Sequence, residues 1–282
     1  MLILFRKEEV TKLIKQTISS KKSIGLVPTM GSLHKGHLSL IKQAIDNNDI
    51  VWVSIFINPT QFSNPADLER YPKNLEKDID LIKSISDKIN VFSPNEKEMY
   101  DGMPKLKIYD FKNLDVELEG KFRRNHFNGV ATIVSKLLNL FKADDVYFGE
   151  KDYQQTQIIR QLLKIEKINA NIIICPTVRE KNGLAFSSRN NLLSNSEREE
   201  SSIIFKSLTL LKKNFNSLKL ELIKKSIIKS IQKNNKFKVE YFEITDSETL
   251  QIHKKINPKK SYRAFICVSV NEVRLIDNLL LN

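Results

Sequence analysis

Residues 24–45 restrict the possible folds more than any other stretch. They read Ile-Gly-Leu-Val-Pro-Thr-Met-Gly-Ser-Leu-His-Lys-Gly-His and continue as Leu-Ser-Leu-Ile-Lys-Gln-Ala-Ile. Ile24, Leu26 and Val27 form a short apolar run stopped by Pro28, the pattern of a buried strand. Gly31 and Gly36 punctuate a turn. From His37 onward, Leu38, Ile41, Ala44 and Ile45 recur at helical spacing, so His34 and His37 stand where a helix begins. The first amides of a helix lack partners within it, and the macrodipole adds roughly half a positive charge there, so phosphate is favoured. Two imidazoles three residues apart at such an end donate hydrogen bonds to phosphate without carrying a permanent charge. A bare His-x-x-His is more often a pair of surface histidines, but the strand before it and the helix after it are the context that phosphate binding requires. The stretch is not a P-loop. Gly31 and Gly36 have the right separation, yet His37 and Leu38 stand where Lys and Ser or Thr are needed, and Leu38 cannot ligate magnesium. No Gly-x-Gly-x-x-Gly run follows a strand, so a dinucleotide cofactor is not indicated.

The same strand and helix alternation continues around this stretch. Residues 7–20 have the apolar spacing of an amphipathic helix, and residues 50–57 are a continuous apolar run, the signature of a central parallel strand covered on both faces. That strand ends in Asn58-Pro59-Thr60-Gln61-Phe62. Loops at the carboxyl ends of parallel strands hold ligands in α/β proteins, which makes the amide of Gln61 a candidate for holding a substrate hydroxyl or carboxylate. Residues 74–88 read as a charged helix, 91–92 as a short strand, 95–126 as irregular and 127–141 as a core helix. Residues 145–148 form another strand, and Gly149-Glu150-Lys151-Asp152 turns from it into a helix carrying Gln154 and Gln155; Lys151 meets phosphate as a point charge. Residues 171–175 close the series. The alternation predicts a parallel α/β sheet over roughly the first 175 residues.

Beyond Pro176 the character changes. A polar loop, Arg179 to Asn190, holds Gly183, paired serines and Arg189, a group able to close over an anion. Residues 195–235 read as two lysine-rich helices, followed by strands at 237–245, 262–270 and 273–276, a small α+β unit. The expected division is therefore 1–176 and 177–282, with no internal repeat and no low-complexity linker.

Composition narrows the function. With 41% hydrophobic and 28% charged residues the chain reads as an ordinary soluble globular protein, and no apolar run approaches the ~18 residues of a membrane span. The first residues lack the pattern of a signal peptide. Cys175 and Cys267 lie in separate apolar runs, which reads as inert core cysteines in a reducing cytoplasm and excludes a disulfide scaffold or zinc site. A net charge of +13 raises the question of nucleic acid, but lysine is abundant along the whole chain, as a compositional bias produces, so no nucleic-acid partner is expected.

Five blocks now stand in order: Pro28-Thr29-Met30-Gly31 with Leu33-His34-x-Gly36-His37; Ser54-Ile55-Phe56-Ile57-Asn58-Pro59-x-Gln61-Phe62; Phe148-Gly149-Glu150-Lys151-Asp152-Tyr153-Gln154-Gln155; Gly183-Leu184-Ala185-x-Ser187-Ser188-Arg189-Asn190; and Arg274-Leu275-Ile276-Asp277-Asn278. Together they resemble the pantothenate synthetase family over nearly the whole chain. The resemblance implies a Rossmann-like His-x-Gly-His nucleotidyltransferase domain, a smaller carboxyl-terminal lid domain, and a ligase that joins pantoate to β-alanine through pantoyl adenylate with release of pyrophosphate and AMP. It also implies that Met30, Gly31, Ser32, Leu33, His34, Lys35, Gly36 and His37 bind ATP, as do Gly149, Glu150, Lys151, Asp152, Val178, Phe186, Ser187, Ser188 and Arg189. His37, His34, Lys151 and Arg189 would act on the phosphates, Gln61 and Gln155 would hold pantoate, and Gln61 would also touch β-alanine. Magnesium is expected on the phosphates with no cluster of protein carboxylates to hold it, and the enzyme is expected to be a cytoplasmic homodimer. One block departs from the family: Arg123-Arg124-Asn125-His126-Phe127 stands where Arg-Pro-Gly-His-Phe is usual, which changes the backbone freedom of that turn. The nearest rival is another nucleotidyltransferase of the same superfamily acting on a different acid. An RNA-binding protein with a synthetase-like fold is a more distant one, suggested by charge alone.

Overall fold

The computed structural model describes residues 1–100, 102–217, 219–252 and 256–282; Asp101 and Leu218, within the segments read above as irregular and helical, lie outside these. The first half runs β1 (Ile3–Leu4), α1 (Lys7–Ser19), β2 (Ile24–Thr29), α2 (Lys35–Asn47), β3 (Ile50–Ile55), α3 (Pro65–Glu69), α4 (Leu75–Lys83), β4 (Asn90–Phe92), α5 (Glu96–Tyr100), α6 (Glu119–Phe122), α7 (His126–Phe141), β5 (Asp145–Gly149), α8 (Tyr153–Glu166) and β6 (Asn171–Cys175). Six strands form one parallel sheet in the order β1-β4-β3-β2-β5-β6. The two-residue strand β1 is too short to show a period and was not expected from the sequence.

Alternate side chains of the central strands serve opposite faces, as the pleat requires. Leu26, Trp52, Val146 and Phe148 pack with α1, α7 and α8, whereas Val27, Val51, Val53 and Tyr147 pack with α2 and α4. Both faces are covered, which explains why β3 is a continuous apolar run. Helix α7 is buried on almost every side. At Gly129 it comes so close to the turn after β3 that a Cβ would stand 2.3 Å from the Thr60 carbonyl oxygen. In the altered turn before α7, Asn125 takes the left-handed conformation, φ 62°, which asparagine tolerates better than other residues with a Cβ.

The second half runs α9 (Asn195–Glu200), α10 (Ile203–Lys213), α11 (Leu220–Ile231), β7 (Phe237–Asp246), β8 (Tyr262–Val270) and β9 (Val273–Leu280), with the strands in one antiparallel sheet. Among the described residues three helices stand where two were expected: a capping box of Ser194 and Glu197 starts α9, and Ser201 and Ser202 lie between it and α10. Helices α10 and α11 cover one face of this sheet. Its other face meets the first half, where Leu118 is buried with Tyr241, Phe265 and Cys267. Both cysteines are free and buried, and burial pushes the Cys175 thiol up to about 11. Among the described residues no helix is long and apolar enough to cross a membrane.

Candidate active site

The strand order reverses between β2 and β5: the chain leaves β2 toward β3 and β4 on one side, and passes from β5 to β6 on the other. A crevice opens at the carboxyl ends of strands at such a switch point. The two strand-turn-helix units picked out in the sequence are thereby neighbours, with Leu26 paired to Val146. One cleft there is lined by Met30, His34, Gly36, His37, Gln61, Gly149, Lys151, Asp152, Gln155, Val178, Phe186, Ser187, Ser188 and Arg189. Gly31, Ser32, Leu33, Lys35 and Glu150 do not line it. Lys35 is exposed. The Glu150 carboxylate instead accepts from Arg263 Nη2 at 2.8 Å, at the contact with the antiparallel sheet.

The head of α2 differs from the expectation in an informative way. Gly36 belongs to the helix and not to the turn, and His34 is the cap. The His34 ring folds back so that Nδ1 accepts from the Gly36 amide at 3.2 Å, and His37 Nδ1 lies 3.4 Å from the His34 amide. A Cβ at position 36 would come within 2.9 Å of the His34 ring, so glycine is the residue that leaves room for this cap. The amides of Ser32 and Leu33 are also taken. Asp78 accepts from them at 2.8 and 2.7 Å. The amides of Ser32 and Leu33 in the turn and of Gly36 in the helix are thus bound from within, while both imidazoles line the cleft.

Because each ring uses Nδ1 as an acceptor, the neutral tautomer carries its proton on Nε2. Burial pushes the His34 pKa down to about 2, helped by His37 and the Lys151 charge. Burial also pushes His37 down, to about 4, against the pull of Asp152 and together with Lys151. Both rings are therefore neutral donors at neutral pH. Their centroids lie 4.0 Å apart, and Phe186 stacks against His34 at 6.0 Å, bringing the loop beyond Pro176 to the histidine pair.

Fixed cations complete the cleft. Lys151 Nζ contacts Asp152 Oδ1 at 3.1 Å. Arg189 Nη2 reaches both oxygens of Asp67, at 3.2 and 2.9 Å, and Ser188 Oγ lies 3.1 Å from Tyr71 Oη. Gln61 is buried, with Nε2 3.0 Å from Met30 Sδ and Oε1 accepting from Asn58 at 3.1 Å. Gln155 lines the cleft, while its neighbour Gln154 is turned away into a structural bond with the Glu119 amide. Asp67, Tyr71 and Asp78 carried no signal in the sequence reading. Each looks like an ordinary polar residue near a short helix, and the partners of Asp67 and Tyr71 lie more than a hundred residues away.

The family model for pantoate-beta-alanine ligase matches residues 3–280. The pantothenate synthetase of Flavobacterium psychrophilum is 44% identical over 279 residues, 99% of each chain, and that of Christiangramia forsetii is 46% identical over 285 residues, the full length of both. Among solved structures, pantothenate synthetase from Thermus thermophilus superposes with a TM-score of 0.89 at 31% identity, covering 100% of this chain and 99% of that one. Pantoate-beta-alanine ligase from Francisella tularensis, complexed with β,γ-ATP and β-alanine, superposes with a TM-score of 0.83 at 38% identity, covering 100% and 98%.

Proposed function

The chain belongs to the pantoate-beta-alanine ligase family, and from that premise we propose how its cleft condenses pantoate with β-alanine at the expense of ATP. A pantoate carboxylate oxygen bonds to the α-phosphorus while the bond to pyrophosphate breaks, leaving pantoyl adenylate. The β-alanine amine then bonds to the acyl carbon, AMP leaves, and the amine gives up a proton. Both steps gather negative charge on oxygens, which preorganised donors stabilise more than they stabilise the ground state.

The observation that carries this reading is the pair of neutral Nε2–H donors at the head of α2, facing the same cleft as Lys151 and Arg189. We assign His37 and His34 to the phosphate oxygens, and Lys151 and Arg189 to the charge of the departing pyrophosphate. Met30, Gly36, Gly149, Asp152 and Val178 frame the nucleotide, with Asp152 on a ribose hydroxyl. Gln61 and Gln155 hold pantoate, and Phe186 to Arg189 close over the phosphates. Gly31, Ser32 and Leu33 act from behind the wall by shaping the turn that Asp78 holds.

Magnesium enters with the nucleotide as part of the substrate. Among the described residues no group of three potential ligands stands together to hold a metal, and Asp78 is occupied by backbone amides, a setting that suits a cation carried on phosphate oxygens. We divide the chain near Pro176, with the smaller unit as a lid; separate apolar clusters before and after that point support the division. A cytoplasmic homodimer is the working assembly, to be checked by sedimentation.

The test follows pyrophosphate release from MgATP with pantoate alone, then adds β-alanine and follows AMP and pantothenate. Pyrophosphate that depends on pantoate, with AMP and pantothenate appearing only after the amine, is the expected result. Folded protein that binds ATP yet releases no pyrophosphate with pantoate contradicts it and points to another acid.

A further inference from the structure

Glu119 is a buried carboxylate with no part in the chemistry above. Leu118, just before it, takes φ +55° and buries its side chain against the antiparallel sheet, which drives the start of α6 onto that sheet. There Arg274 Nη1 and Nη2 donate to the two Glu119 oxygens at 3.0 and 2.9 Å, and Tyr241 Oη donates at 2.9 Å. Burial alone would raise the pKa of Glu119, but Arg274 holds it down to about 2, so the group is a full charge. Glu119 and Tyr241 line a chamber of ≈ 40 Å³ that adjoins the cleft, and Arg123, His126, Lys151, Asp152 and Gln155 line both spaces.

Two arms run from Glu119 to the cleft. Arg123, one helical turn on, has Nη1 3.5 Å from Glu119 Oε2 and 3.0 Å from His126 Nε2, and His126 Nδ1 lies 2.7 Å from the Gln61 carbonyl oxygen. A carbonyl only accepts, so Nδ1 carries the proton and Nε2 must accept from Arg123. The guanidinium thus selects the tautomer in which His126 can hold the backbone of Gln61. In the second arm the Glu119 amide donates to Gln154 Oε1 at 3.0 Å, tethering the head of α8 beside Gln155.

We propose that Glu119 is a positioning residue for the acid substrate, transmitting the placement of Arg274 on β9 to Gln61 through Arg123 and His126, and to Gln155 through Gln154. The inference rests on the assignment of Gln61 and Gln155 to pantoate. Buried ion clusters add little net stability compared with well-packed apolar groups, so the effect of this one lies in geometry.

The test is steady-state pyrophosphate release with MgATP, pantoate and saturating β-alanine, measured on Glu119→Gln, on His126→Asn, on the two combined, and on Gln61→Ala. His126→Asn keeps a donor, Nδ2, toward the Gln61 carbonyl but is too short to place an acceptor where Nε2 meets Arg123. Glu119→Gln raises the KM for pantoate about tenfold while the KM for ATP stays within about twofold, and the double variant is no worse than the more affected single one. Arg274→Lys, which keeps the charge but loses the two-pronged contact, shows a smaller rise of the same kind and replaces Glu119→Gln should that variant not fold. An unchanged pantoate KM, equal rises for both substrates, or additive effects in the double variant would overturn the proposal. Gln61→Ala separates the two levels: normal pantoate use there removes the assignment beneath the proposal, whereas an impaired Gln61→Ala beside a normal Glu119→Gln sinks the proposal alone.

Discussion

At the scale of single residues, the histidine pair shows how a capping interaction prepares a catalytic group. Ser, Thr, Asp or Asn is the usual helix cap, with an oxygen toward the backbone amides. Here an imidazole nitrogen takes that place on His34, and the consequence is chemical: once Nδ1 is used, the remaining proton is directed away from the helix. Replacing His37 by Ala is expected to lower turnover about a hundredfold with little loss of folding, on the scale of removing one oxyanion donor. Single-turnover pyrophosphate release checks it, and turnover near wild type would take His37 out of the mechanism. Both rings lie below the usual histidine range, His34 at about 2 and His37 at about 4, so in the ligand-free protein neither takes up a proton near neutrality. Their imidazole resonances should hold steady from about pH 8 to about pH 5.5 by NMR, and move upward in titration midpoint once nucleotide phosphates add negative charge. A midpoint near 6.5 for either ring without ligand would contradict the capped, buried arrangement.

Between elements, the contact of α7 with the turn after β3 sets where Gln61 can stand. Gly129 is the point of closest approach. A Cβ there would also come within 2.6 Å of Gln61 Cα, and the Gly129 carbonyl accepts from Asn58 Nδ2 at 3.0 Å. In an exposed helix Gly→Ala stabilises by up to about 1 kcal/mol. Here the obstacle is backbone, which cannot rotate aside, so overpacking outweighs propensity. Gly129→Ala is expected to cost about 1–3 kcal/mol in urea unfolding and to impair pantoate use more than ATP use. Unchanged stability with unchanged pantoate KM would show that the turn can shift freely. The sequence marked α7 as a core helix from its apolar stripe. It had no means of showing that one glycine on that helix touches the substrate turn, because their residues lie about seventy positions apart.

Across the whole molecule, buried titratable groups give stability a pH dependence of definite sign. Burial and the Arg123 charge hold His126 at about 3, and His34 and His37 are also held below 6.5. Each is neutral when folded but takes a proton in the unfolded chain, so their contribution is complete above about pH 6.5 and is lost as the pH falls below it. Glu119, held at about 2, adds the same trend below its ordinary value of 4.5. Thermal melts should therefore be flat near neutrality and fall steeply from about pH 6 toward pH 4.5. His126→Asn should flatten the slope by up to about 1.4 kcal/mol per pH unit. A wild-type Tm that does not change between pH 7 and pH 5 would mean these groups are not buried as neutral species.

The parallel sheet, the antiparallel strands that follow it late in the chain, and most of the residues that line one cleft were legible in the sequence. Those features are legible because they are local: strand and helix periods repeat within ten residues, and each block of the site spans only a few positions. How the blocks are tuned depends on contacts between distant parts of the chain. Asp78 takes amides forty-five and forty-six residues away, Asp67 holds Arg189 across 122, and Glu119 meets Arg274 across 155. A charge that finds its partner at such a distance leaves no pattern in its own neighbourhood. Whether a backbone amide of this turn is free for phosphate or already bound to a carboxylate is therefore a property of the packed chain.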